Sequence, residues 1–139
     1  MSRYLLDTNV LSETVKPTPD AGVVAFLTDL SEAFISVLSV HEIAYGLGLL
    51  PEGARRAALS EAVDRLFATF ADAILPIREP EARAAGAARA AARIAGRNLD
   101  TADGLILGTA LVNGLTVVTR NEKDVGGLGV ATLNPWTGR

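Results

Sequence analysis

The stretch RYLLDTNVLSE, residues 3–13, decides the fold: a short apolar run ends on an acid, and a helical pattern begins just beyond it. The same alternation of short β-branched runs with longer helical patterns continues along the chain. It is the signature of a parallel sheet covered by helices on both faces. Strands are expected over residues 3–6, 33–37, 73–77 and 115–119, with a weaker one near 130–133. Helices are expected over 10–15, 21–30, 40–49, 52–70, 79–94 and 102–112, with Pro17, Pro51, Pro76 and Pro80 punctuating the joins. The alanine-rich stretch 82–95 reads as a tightly packed helix, because alanine is the best helix former. With no internal repeat and no linker, residues 1–139 read as a single α/β domain.

Composition narrows the chemistry. With 139 residues and 49% hydrophobic side chains, the chain can bury an ordinary core, and at this length folding hides roughly two-thirds of the unfolded surface. Having no cysteine removes disulfides, thiolate metal sites and cysteine nucleophiles, and the lone His41 cannot build a multi-histidine site. A net charge of -3 argues against coating nucleic acid through bulk charge, so a polyanion partner needs a local basic patch or a bound cation. Asp7 interrupts the apolar start too early for a signal peptide, and the apolar stretch 105–118 is broken by Gly108, Thr109, Asn113 and Gly114. A cytoplasmic protein without membrane contact is expected.

In a parallel sheet every strand's carboxyl end lies on one edge, and ligands bind in the crevice along that edge. Asp7 ends the first strand, Glu42 follows the second, Asp103 opens the helix in TADGLI, and Asp124 follows the TRN that closes LTVVTRN. Carboxylates gathered there repel one another unless a cation or hydrogen bonds hold them charged. Oxygen ligands alone suit Mg²⁺, with Mn²⁺ as a substitute. Each acid also has a plain structural reading. Ser39 and Glu42 form an S-x-x-E capping box, Asp100 or Thr101 can cap the helix that holds Asp103, and Asp124 can be a solvated loop acid beside Lys123. Asp7 has no such task, since Thr8 and Asn9 are available to cap the next helix.

Taken in order, LLDTNVLSE at 5–13, the S-x-x-E-x-x-x-G run at 39–46, ADGLILGTA at 102–110, GLTVVTRN at 114–121 and the terminal NPW at 134–136 resemble the PIN-domain ribonucleases, and among them the VapC- and FitB-type toxins. The resemblance spans nearly the whole chain. It implies a PIN-like three-layer α/β/α sandwich with a central parallel sheet of four to five strands. It also implies a Mg²⁺-dependent endoribonuclease that leaves 5′-phosphate ends on a structured RNA such as tRNA or rRNA. The implied partners are a cognate VapB- or FitA-like antitoxin and a second copy in a homodimer, with a larger toxin–antitoxin assembly on DNA. Carried over by position, the family's acids fall on Asp7, Glu42 and Asp103. The fourth is open between Asn121, which stands where many relatives have aspartate, and Asp124 three residues on, followed by Val125 where such relatives have phenylalanine.

On this reading Asp7 and Asp103 hold the main ion, Glu42 orients or deprotonates its water, and Asp124 or Asn121 positions a second ion. Thr8, Asn9, Ser39 and Thr119 are expected to fix carboxylate rotamers. Arg120 and Lys123 are the candidates for steering the RNA backbone. Arg83, Arg89, Arg93 and Arg97 form a basic stripe that can hold phosphates, lie solvated or meet an acidic partner. Tyr45, Leu47, Leu49 and Leu50 are expected in the core, with burial against a partner as the alternative; His41 is expected to face away from Glu42, and Trp136 to pack the C-terminal strand end. A different class of function keeps the fold without catalysis: a binding partner that acts with an antitoxin in DNA-bound autoregulation. Phosphoryl-transfer domains of the haloacid-dehalogenase kind expect DxDx[TV], whereas this chain reads Asp7, Thr8, Asn9, and no GxxxxGK[ST] occurs.

Overall fold

The computed structural model describes residues 3–136. In chain order the elements are β1 (Tyr4–Leu6), α1 (Thr8–Thr14), α2 (Ala21–Thr28), β2 (Ala33–Ser36), α3 (Val37–Gly48), α4 (Ala54–Thr69), β3 (Ile74–Leu75), α5 (Glu79–Ile94), α6 (Thr101–Asn113), β4 (Thr116–Val118), α7 (Glu122–Val125) and β5 (Thr132–Leu133). The strands form one parallel sheet in the order β3-β2-β1-β4-β5. Chain progression runs outward from β1 through β2 to β3, then returns to the other side of β1 as β4. The strand order therefore reverses beside β1, and in an open α/β sheet the crevice at that reversal is where ligands bind.

Alternation along the strands divides the core in two. Leu5 of β1 and Val117 of β4, paired in register, face a cluster with Ala88, Ala92, Ile106, Leu107 and Ala110 from α5 and α6. Their neighbours Leu6 and Val118, also paired, face the opposite cluster, with Val10, Leu11, Val23, Ile43 and Val63 from α1 to α4. The expected three layers are present, and all five expected strands occur, each shorter than the sequence suggested. Two boundaries moved for identifiable reasons. The Ser36 side chain accepts the Leu38 N–H at 3.0 Å, so α3 starts at Val37 and not at Val40. Asp7 caps α1, which starts at Thr8. The short α7 was not expected.

The alanine-rich helix does pack closely. Where α6 crosses α5, a Cβ on Gly108 would stand 2.6 Å from the backbone N of Ala85, and one on Gly104 would stand 2.6 Å from Cδ of Arg89. Gly86, also on α5, has nothing within 4 Å of a Cβ position. Alanine exceeds glycine in helix propensity by about 1 kcal/mol, but overpacking against backbone costs about 1 to 3 kcal/mol. Gly108→Ala should therefore lower unfolding stability, while Gly86→Ala should raise it by up to about 1 kcal/mol. Urea denaturation of the two variants checks the contrast.

Candidate active site

At the carboxyl end of β1 the backbone pairing runs one residue past the strand: the Asp7 N–H donates to the Val118 carbonyl at 2.9 Å. That places Asp7 beside buried Thr119, whose Oγ1–H donates to Asp7 Oδ2 at 2.9 Å. Asn9 Nδ2 donates to the same oxygen at 3.2 Å, and the Thr8 N–H donates to Oδ1 at 2.7 Å. Burial raises the Asp7 pKa above the ordinary value, with the Glu42 charge adding to the rise; the bonds from Thr119, Thr8 and Asn9 oppose it. Asp7 thus has a structural task the sequence reading denied it, as the α1 cap, in addition to its place at the sheet edge.

Glu42 reaches the same place from α3. Since Ser36 is the cap, Ser39 and Glu42 lie inside the helix and form no capping box, contrary to the sequence reading. Thr8 Oγ1 instead donates to Glu42 Oε1 at 2.6 Å and lies 2.8 Å from Ser39 Oγ. A threonine hydroxyl has one proton, so with that proton on the Glu42 carboxylate the Ser39 hydroxyl must be the donor to Thr8. Ser39 itself is fully buried. Ser39, Thr8 and Glu42 are a chain of hydroxyls ending on a carboxylate.

Asp103 stands in the first turn of α6, its N–H held by the Asp100 cap at 2.8 Å. Its carboxylate accepts no hydrogen bond among the described residues. Burial first, then the charges of Asp100, Asp7, Asp124 and Glu42, push this group from 3.8 up to about 6. The helix N-terminus favours a negative charge there by only about 0.3 to 1 kcal/mol, too little to offset desolvation and four neighbouring acids.

Asp7, Glu42 and Asp103 all line one cleft of about 430 Å³, together with Thr8, Asn9, Arg120 and Asn121. Asp124 does not line it; this residue is exposed on α7 and acts on Asp103 only through its charge. Of the expected support groups, Asn9 also accepts the Arg120 N–H at 3.3 Å, and the Asn121 N–H donates to Thr119 Oγ1 at 3.1 Å. Arg120 lies over the Trp136 ring, 5.1 Å from its centroid, while exposed Lys123 stays off the cleft. The lining also includes Ser12, Glu13, Lys16 and Trp136, which sequence reasoning missed as site residues. Asn9, Ser12 and Glu13 fall at i, i+3 and i+4 on α1, a helical face that could have revealed them; Lys16 lies just past the helix end. Tyr45 and Leu49 are 64% and 67% exposed, so core packing does not account for them. His41 is exposed and outside the cleft.

An all-oxygen donor set of partly desolvated carboxylates suits a hard divalent cation. Among the described residues no three such side chains already stand at cation-holding distance. Of the three, only Asp103 accepts no hydrogen bond among the described residues that holds its carboxylate in place.

The PIN domain family model matches residues 4–124. Over 135 residues the chain is 38% identical to Toxin FitB of Neisseria gonorrhoeae, covering 95% of this chain and 97% of that protein. It is 31% identical over 135 residues to VapC ribonuclease Y4jK of Sinorhizobium fredii, covering 95% and 96%. A chain in the solved structure of FitAB bound to a DNA fragment superposes with a TM-score of 0.90 at 37% identity, covering 96% of this chain and 95% of that one.

The raised Asp103 pKa has a consequence for stability. Unfolding returns the group to near 3.8, so its contribution to stability is full below about pH 4 and is lost as the pH rises through about 6. In EDTA at about pH 7.5, Asp103→Asn should raise stability by about 1 kcal/mol, a figure reduced for solvent screening, and change little at about pH 4. Denaturant titrations at the two pH values measure this. Added Mg²⁺ should stabilise the parent chain and not the variant.

Proposed function

The chain belongs to the PIN domain family, and on that premise we propose that it is a metal-dependent endoribonuclease, the toxin of a toxin–antitoxin pair. One observation carries the reading: acids at the end of β1, on α3 and on α6 share a cleft, in which burial first and neighbouring carboxylates second raise Asp103 to about 6. The relative named a VapC ribonuclease and the FitAB complex on DNA support it. By that analogy the partners are an antitoxin, a second copy of the chain, and DNA in the larger assembly. Among the described residues no helix is long and apolar enough to cross a membrane; a cytoplasmic location is part of this proposal, by analogy with the toxin–antitoxin relatives.

Asp7 and Asp103 would hold the ion directly, with Glu42 completing the carboxylate set. A bound Mg²⁺ or Mn²⁺ would neutralise charge on the scissile phosphate and lower the pKa of a water beside it. Glu42, whose Oε1 accepts the Thr8 hydroxyl, would be the group to orient the attacking water or take its proton. Thr119 and Asn9 keep Asp7 from rotating away. Arg120, held over Trp136, offers a cation to the phosphate backbone, while Lys16, just past α1, is already paired with Glu13 at 2.8 Å. With aromatic side chains at 5% of the chain, few bases can stack, so recognition falls on the shape of a folded RNA such as tRNA or rRNA.

The second reading, a PIN-fold binding partner with weak catalysis that acts with an antitoxin on DNA, draws on Asn121 at the fourth position and on Asp124 outside the cleft. Incubating the purified chain with structured RNA in Mg²⁺, and sequencing the 5′ ends, separates the two. The nuclease reading expects discrete 5′-phosphate cuts that EDTA abolishes, and a loss of about 100-fold or more in Asp7→Asn and Asp103→Asn. Absence of cutting on every RNA, alongside tight antitoxin binding, would favour the second. Asp124→Asn should change the rate by less than about threefold, because solvent screens an exposed charge.

A further inference from the structure

Outside the acidic cleft, three arginines gather around one hollow. The C-terminal half of α5 and the loop after it frame a hollow of about 330 Å³, lined by Gly86, Arg89, Arg93, Arg97, Asn98 and Leu99. No carboxylate lines it. Arg3, Lys16, Arg78 and Arg83 each pair with an acid, whereas among the described residues Arg89, Arg93 and Arg97 form no ion pair. The continuous stripe expected from the sequence is broken at Gly96, whose φ of 79° ends the helical path and sends Arg97 toward α7.

Backbone carbonyls fix two of these cations without neutralising them. Arg89 Nε donates to the Leu99 carbonyl at 3.0 Å. Arg97 donates to the carbonyls of Gly126 at 2.7 Å and of Lys123 and Asp124 at 3.2 Å. Arg93 is exposed and has no hydrogen-bond partner among the described residues. Three guanidinium groups held around one hollow repel each other, and an anion between them relieves the repulsion. Planar guanidinium forks suit phosphate best. The hollow also adjoins the cleft along the chain: Leu99 lines one and Ala102 the other, and three peptide spans keep their Cα atoms within about 11 Å.

We propose that this hollow is an anion subsite for a backbone phosphate of the same polynucleotide strand whose scissile bond lies in the acidic cleft. The proposal rests on the nuclease reading and adds to it a second cationic hold on the strand, away from the cleft. Arg93 and the unbonded terminal nitrogens of Arg89 are the donors; Arg97 sets the hollow's wall and its charge.

Fluorescence anisotropy of a labelled RNA hairpin with the full chain in EDTA tests binding without cleavage. Arg93→Glu should weaken binding by about tenfold or more, Arg93→Ala should lower the salt slope of log K by about 1, and Arg93→Lys should stay within about threefold of the parent. Thermal unfolding of Arg93→Lys should match the parent and that of Arg93→Ala should shift only slightly, because among the described residues the Arg93 side chain forms no hydrogen bond or ion pair and only its charge in the last turn of α5 is lost. In cleavage assays the loss should appear in KM with kcat preserved. Unchanged affinity and salt slope in Arg93→Glu would overturn the subsite, and cutting by the parent chain would leave the nuclease reading standing. A parent chain that neither binds nor cuts RNA removes both. Retained RNA binding with loss of an acidic protein partner would make the hollow a protein contact and overturn the proposal.

Discussion

Parallel pairing of β1 with β4 is the constraint from which the site follows. Leu6 pairs with Val118, and one residue later the ladder continues as a bond from the Asp7 N–H to the Val118 carbonyl. Asp7 and Thr119 are then neighbours across the two strand ends, with the threonine hydroxyl on the carboxylate. A slip of one residue would turn Leu5 and Leu6 to the wrong core clusters, so the apolar packing of both faces fixes the register and, with it, the position of the acid.

Glu42 and Asp103 are delivered to that point by helices, and each is placed by a small polar group. Ser36 starts α3 early enough that Ser39 and Glu42 come round to Thr8, while Asp100 starts α6 so that Asp103 falls in its first turn. The carboxylates are thereby gathered with few compensating bonds on Asp103. Its raised pKa reflects burial first and then the like charges that the fold holds beside it.

Charge is segregated on the other side of residues 97–103 as well. Arg97 crosses to the backbone of α7, and so ties the basic hollow to the loop that carries Asn121. The close crossing of α5 on α6 at Gly104 and Gly108 brings Arg89 against the helix that carries Asp103. One helix pair therefore presents acids at one end of its contact and arginines beside it, and the same small-residue packing sets the spacing of both.

The sequence by itself determined the α/β alternation, the five strands and the family, because hydrophobic periodicity and the order of motifs are local properties of the chain. It also showed which acids end strands or begin helices. Only the tertiary structure decided what those acids do to each other. Ser39 and Glu42 match a capping box in sequence, yet Ser36 outcompetes Ser39 for the helix start, and both side chains turn to Thr8 thirty-one and thirty-four residues away. Asp124 sits at a family-like spacing, yet the short α7 leaves it exposed and off the cleft. Tyr45 and Leu49 read as core residues in the sequence and stand in solvent, because α3 turns Ser39 and Ile43 inward and leaves these two off its buried side. Spacing along a chain specifies which residues share a helix face; which groups meet across the sheet edge depends on strand register and helix crossing, and those are fixed only when both cores close.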